Sequence, residues 1–156
     1  MFQVHTLVPE FWCSNFDESL HFYTKVVGFS VAQRRGNDLH AYLELGDAQI
    51  MIACWKQDGT WEPAPLEKPY GRGVNFQILT DDIQSIYLSA LSADIKPFVE
   101  LHTRWYWRTD RMEERTEFGL LDPDGYFLRF TEVGAHRPIE QADIDTLNKK
   151  TWVRPF

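Results

Sequence analysis

Cysteine is scarce in this chain, and the two residues present, Cys13 and Cys54, sit in apolar, strand-like stretches without metal-type spacing. Outside a secretory context such a pair reads as reduced core residues, which excludes a disulfide-stapled fold. No apolar run approaches the ~18 residues that a membrane-spanning helix requires. The opening Met1-Phe2-Gln3-Val4-His5 has no basic stretch leading into a sustained apolar one, so a cytoplasmic location is the expectation. Positive charge is short as well: 16 Lys and Arg stand against 23 Asp and Glu, a net charge of −7. That sign excludes an electrostatic grip on nucleic acid and suits a neutral or cationic partner.

Aromatic residues, by contrast, are abundant. Six Trp, six Tyr and eleven Phe make up 15% of a 156-residue chain, more than a core of that size requires, so some of them are expected to bind something. The chain is long enough to bury a core without metals or disulfides as staples.

One pattern is told twice along the sequence. Residues 6–13 are strand-like, and Pro9, which lacks an amide donor, places that strand at a sheet edge. A helix follows over 15–28, with Asn15 as cap, Glu18 completing a capping box, Gly28 ending it and Phe16, Leu20, Tyr23 and Val27 on one face. Strands over 29–34, 39–45 and 48–54 are separated by the turn residues Gly36-Asn37-Asp38 and Gly46-Asp47. The second half repeats the order: a strand at 73–79, a capped helix at 81–91, and strands near 95–100, 103–108, 115–121 and 126–131, one of them extra or interrupted. The expected fold is α+β: two βαβββ modules, about 1–57 and 72–134, form curved, cup-like mixed sheets with helices outside. Together they make a single domain over 1–134, and a polar tail over 135–156 contains a helix opened by Pro138. Residues 55–72 form a loop carrying Trp55, Trp61 and Tyr70, and a long loop with large aromatics reads as covering a site or an interface.

Alternation along the strands sorts their side chains into two faces. Val74, Phe76 and Ile78 face one way and Asn75 and Gln77 the other. Likewise Leu128 and Phe130 oppose Arg129, Ile50 and Ile52 oppose Met51, and Phe118 and Leu120 oppose Glu117. If the apolar faces pack helices, the rest line a concave cup containing Asn75, Gln77, Glu117 and Arg129. Arg104-Trp105-Tyr106-Trp107-Arg108 puts Trp105 and Trp107 on one face, as a ligand wall, a dimer interface or a surface packed by the tail. His40, Tyr42 and Glu44 share one face of their strand; the remaining histidines, His5, His21, His102 and His136, read as surface or structural residues.

The paired modules, Phe22-Tyr23-Thr24-Lys25-Val26-Val27-Gly28-Phe29 after a capped helix start, and Asp122-Pro123-Asp124-Gly125-Tyr126 before the last strand resemble the vicinal-oxygen-chelate superfamily of glyoxalases, bleomycin-resistance proteins and dioxygenases. Pro65-Leu66-Glu67-Lys68-Pro69-Tyr70-Gly71-Arg72-Gly73-Val74-Asn75-Phe76-Gln77 and Arg104-Trp105-Tyr106 are most similar to its bleomycin-resistance branch. The metal enzymes of that superfamily carry His, Glu or Gln ligands on the first and fourth strands of each module, and the matching positions here are Val8, Met51, Asn75 and Arg129. Those side chains are no ligand set, and a guanidinium repels a divalent ion. The resemblance therefore implies a metal-free, cofactor-free, homodimeric protein that sequesters a bleomycin-like ligand. The expected ligand contacts are Asn75, Gln77, Arg129, Met51, Glu117, Trp105, Trp107, Trp61 and Tyr42. Aromatic walls suit a planar or cationic ligand, whereas Arg129 and Asn75 suit an anionic group, and both remain open. The alternatives are a lyase, isomerase or dioxygenase with relocated metal ligands, a metal-free enzyme using Glu117 or Glu10 as base, and a structural dimer with an incidental cup.

Overall fold

The computed structural model describes residues 2–35, 39–54, 61 and 64–149. The elements run β1 (Glu10–Cys13), α1 (Phe16–His21), a π-helical segment (Phe22–Val27), β2 (Ser30–Arg34), β3 (His40–Leu45), β4 (Ala48–Cys54), β5 (Asn75–Leu79), α2 (Ile83–Ser92), β6 (Val99–Trp107), β7 (Met112–Leu121), β8 (Phe127–Arg137) and α3 (Gln141–Lys149). They form two mixed four-stranded sheets with one strand order, β1-β4-β3-β2 and β5-β8-β7-β6. In each sheet the first strand runs parallel to the fourth and the other pairings are antiparallel. The α+β architecture of two βαβββ modules is thus the observed one, with β1 at an edge of its sheet as Pro9 requires.

Local departures have local causes. β1 begins at Glu10 instead of residue 6, because Pro9 contributes only its carbonyl, which accepts from the Met51 amide at 2.8 Å. The helix of 15–28 is α-helical only to His21 and then widens into a π-helical segment that buries Phe22, Tyr23, Val26 and Val27 together. Its ends are as the sequence indicates: the Asn15 side chain accepts from the Glu18 amide, and Gly28 closes the segment at φ 96°. The strands near 95–100 and 103–108 are one strand, β6, and the break between them is a register shift between Val99 and His102. β8 continues to Arg137, and α3 starts at Gln141, three residues beyond Pro138; its first turn is closed by the Glu140 amide donating to the Asp143 carboxylate at 2.9 Å. The turn 36–38, Trp55 and the residues after Lys149 lie outside the described residues.

The helices cover one face of each sheet. α2 buries Ile83, Ile86 and Ala90, and Tyr87 sets its ring edge against Phe118, which stacks on Phe130 at 5.1 Å. The modules meet at β1 and β5, where Phe11 lies 4.5 Å from Phe76 and stacks on Tyr126 at 4.6 Å. Burying a ring of that size contributes about 2–3 kcal/mol.

The turn Asp122-Pro123-Asp124-Gly125 locks the two halves together. Asp122 accepts from the Tyr23 hydroxyl at 2.8 Å and from the Asp124 and Tyr126 amides; Asp124 accepts from the Ser14 amide and hydroxyl and pairs with Lys68 at 2.8 Å. Burial raises the Asp122 carboxyl despite these bonds. Gly125 stands at φ 94° with its α-carbon against Pro69, so no side chain fits there.

Candidate functional site

The faces turned away from the helices form two distinct cups. In the first, the register aligns Glu10 with Met51 and Tyr42, and Trp12 with Ala53 and His40. These side chains enclose a cavity of about 310 Å³, completed at its rim by Arg35, Leu39, Cys54 and Trp61. Trp61 is 77% exposed. His40 is buried, with its Nε2 3.6 Å from Glu10 Oε1 and its ring edge-on to Tyr42. Beyond Tyr42 the cup is occupied by the N-terminal segment: Phe2 packs on Tyr42, and Gln49 accepts from the His5 amide and donates to the Gln3 carbonyl and to Glu44.

The second cup carries a polar network centred on Glu117. The register places Gln77 beside Arg129 and Arg129 beside Gly119, with Thr131, Glu117 and His102 in the next row. Glu117 is buried, and both of its oxygens are engaged, one by the Thr131 hydroxyl at 3.0 Å and the other by a short bond from the Tyr106 hydroxyl. Burial first, and then this bond, raises the Tyr106 phenol. Arg129 donates from Nη2 to Gln77 Oε1 at 2.5 Å, while its Nε sits 3.9 Å from Glu117 and makes no hydrogen bond. At the start of β7, Glu113 receives both Arg108 and Arg115.

The expected contacts are therefore distributed over three places. Tyr42, Met51 and Trp61 line the first cup; Asn75, Gln77, Glu117 and Arg129 share the inner face of the second sheet. Trp105 and Trp107 lie on the opposite face, because Trp105 pairs with Glu114, one step out of phase with Glu117. There Arg137 sits 4.9 Å over the Trp105 ring and is itself held by Asp143 of α3, so the C-terminal segment packs against that tryptophan. Trp12 escaped the sequence reading, although its alternation with Phe11 and Cys13 carries the signal, and so did the pairing of Glu10 with His40, which depends on the neighbouring strands.

The positions read as the superfamily's metal sites shift slightly. Val8 precedes β1, and the residue beside Met51 is Glu10; beside Arg129 it is Gln77, with Asn75 beside Phe127. Among the described residues no three His, Cys, Asp or Glu side chains gather to hold a metal ion. A set of Glu10, Met51, Gln77 and Arg129 offers one carboxylate and a cation, which does not fit a divalent ion. Among the described residues no helix is long and apolar enough to cross a membrane.

A family model, the Glyoxalase/Bleomycin resistance protein/Dioxygenase superfamily, matches residues 3–130. Among solved structures, a superfamily member from Vibrio splendidus 12B01 is 29% identical over 81% of this chain and 97% of its own, at TM-score 0.39. TioX from Micromonospora sp. ML1 is 18% identical over 83% of this chain and 98% of its own, at TM-score 0.60. A glyoxalase/bleomycin resistance protein/dioxygenase from Alicyclobacillus acidocaldarius is 19% identical over 84% and 92%, at TM-score 0.56. The last two likenesses show the fold. No curated protein matches the chain.

Proposed function

The chain belongs to the glyoxalase/bleomycin resistance protein/dioxygenase superfamily, and from that premise we propose that it is a metal-free binding protein, bleomycin-resistance-like, that sequesters a planar or cationic small molecule. The observation that carries this reading is the first cup: a cavity of about 310 Å³ walled by Trp12, Tyr42, Met51 and Trp61, with the Glu10 carboxylate inside. Aromatic faces attract cations and stack on flat rings at about 0.5–2 kcal/mol per contact, and a carboxylate beside them favours positive charge. The protein works in this reading as a cytoplasmic homodimer, in which a second copy closes the open side of the cup; light scattering on purified protein tests that state.

A panel of planar and cationic compounds that includes bleomycin tests the ligand. A compound present at 100 times its dissociation constant stabilises by about 2.7 kcal/mol, visible as a thermal shift and in tryptophan fluorescence. Metal analysis of chelator-free protein is expected to find no stoichiometric divalent ion. A full equivalent of zinc, nickel, manganese or iron overturns the proposal.

One observation favours a second reading, a glyoxalase-like lyase or isomerase, or an extradiol-type dioxygenase, with relocated metal ligands. Glu10 and His40 face each other at 3.6 Å within the first cup, the one place where a carboxylate and an imidazole meet among the described salt bridges. Tight metal binding lost in Glu10→Gln and His40→Ala would support it.

A further inference from the structure

We infer that the second cup is an oxyanion subsite, in which Arg129, Gln77 and Asn75 receive a carboxylate, sulfonate or phosphate carried by the ligand. The inference rests on the binding reading above and adds the charge of one end of the ligand.

The two inner faces differ in charge. The first carries Glu10 and Glu44 on its strands, whereas the second carries Arg104, Arg115 and Arg129 against Glu113 and Glu117. In a chain of net charge −7 this positive face runs against the average. Its carboxylates are already spent. Glu113 is shared by Arg108 and Arg115, and Glu117 accepts from two hydroxyls, so neither completes the hydrogen bonding of Arg129.

Arg129 has donors to spare. Its one hydrogen bond among the described residues goes to Gln77 Oε1, and the Glu117 carboxylate pairs with its Nε only at 3.9 Å, beyond hydrogen-bond distance. That bond fixes the plane of the guanidinium and turns the Gln77 amide so that its Nε2 donors point away from Arg129. Asn75 lies two residues before Gln77 on the same face of β5 and is exposed, and neither amide nitrogen has a partner among the described residues. Beside Asn75 the half-buried Phe127, its register partner, offers an apolar surface. A fixed guanidinium with neutral amide donors and a ring on its open side, and on the other a carboxylate already engaged by two hydroxyls, is a receptor for an aryl or alkyl oxyanion: charge-assisted bonds to carboxylates are shorter and stronger than neutral ones, and the planar fork takes two oxygens at once.

The test uses benzoate and benzenesulfonate as anionic probes, with benzylamine and benzyl alcohol as cationic and neutral counterparts, against the full chain. Benzoate is expected to raise the melting temperature and to move the Arg129 Nε–H resonance in arginine-labelled protein. Arg129→Gln is expected to bind benzoate about tenfold more weakly, with Arg129→Lys between the two. Arg111→Gln, which removes the same charge from an exposed turn, is expected to leave benzoate binding unchanged. Urea unfolding establishes that each variant is folded, and Asn75→Leu is a second test should Arg129→Gln fail to fold. Benzoate binding that survives Arg129→Gln and Asn75→Leu overturns the subsite. Binding of benzylamine without any anion overturns it and leaves the proposed function standing; binding of no probe at all removes both.

Discussion

The first and second modules have the same strand order and the same parallel pairing of first and fourth strands, yet one sheet encloses an open cavity and the other carries a polar network around Glu117. The difference lies in a few inward positions. Where β4 presents Met51 beside Tyr42 of β3, β8 presents Arg129 beside Gly119 of β7; in the next row, where β3 presents His40, β7 presents Glu117 bonded to the Tyr106 hydroxyl. An uncharged thioether and aromatic rings leave their space to a ligand. A buried carboxylate must instead be satisfied by neighbours, so the Tyr106 and Thr131 hydroxyls close on Glu117, while Arg129 beside it keeps unbonded donors. Duplicating a topology therefore does not duplicate a site, because the scaffold depends on the outward apolar residues and the chemistry on the inward ones.

The largest expected effect tests whether the two halves are one cooperative unit. Asp124→Ala removes the acceptor for the Ser14 amide and hydroxyl and the partner of Lys68. It should cost about 3 kcal/mol and shift a single urea transition; two separated transitions would show that the modules unfold independently. Next in size is the contrast between the two inward carboxylates. Glu117→Ala strands the Tyr106 and Thr131 hydroxyls and should cost about 2 kcal/mol of stability, whereas Glu10→Ala, at the open cavity, should cost about 0.5 kcal/mol or less. Equal losses in the two variants would erase the distinction drawn here.

Smaller still is the effect of Trp61→Ala. The side chain is 77% exposed, so the melting temperature should barely move, while binding of a cationic aromatic probe to the first cup should weaken about fivefold; unchanged fluorescence titrations would remove Trp61 from the site. The smallest effect is confined to the second module's C-terminal end. Arg137 first, and then the Glu140 amide, lowers the Asp143 carboxyl to about 2. A lowered folded-state value means that the bond favours the folded form above the ordinary Asp range of about 3.9 and that this gain is lost as pH falls from about 4 toward 2. Amide resonances of α3 should respond across that window, and Arg137→Gln should move their midpoint up toward the ordinary Asp range.

Much of the scaffold was legible in the residues themselves. Alternation sorted Val74, Phe76 and Ile78 from Asn75 and Gln77, and a cap at Asn15 with Gly28 at the far end bounded the first helical stretch, because these signals are local. The π-helical widening was not legible: its hydrogen bonds serve the burial of Phe22 and Val26 together with Tyr23, and that demand comes from the sheet beneath. The site was legible only in parts. Met51, Tyr42 and Trp61 were named, but so were Asn75, Gln77, Glu117 and Arg129 of the other sheet, since parity along a strand says which face a residue occupies and not which cup.

What the chain determined alone is the doubled βαβββ order, the edge position of its first strand and the presence of Arg129 on an inward face, all of which follow from short-range periodicity and from the chemistry of single residues. Only the tertiary structure decided that Glu10 meets His40, that Glu117 is spent on Tyr106 and Thr131, and that Trp105 looks away from both cups. Those facts depend on strand register and on contacts between residues distant in sequence, and a shift of one residue in register would reverse every one of them.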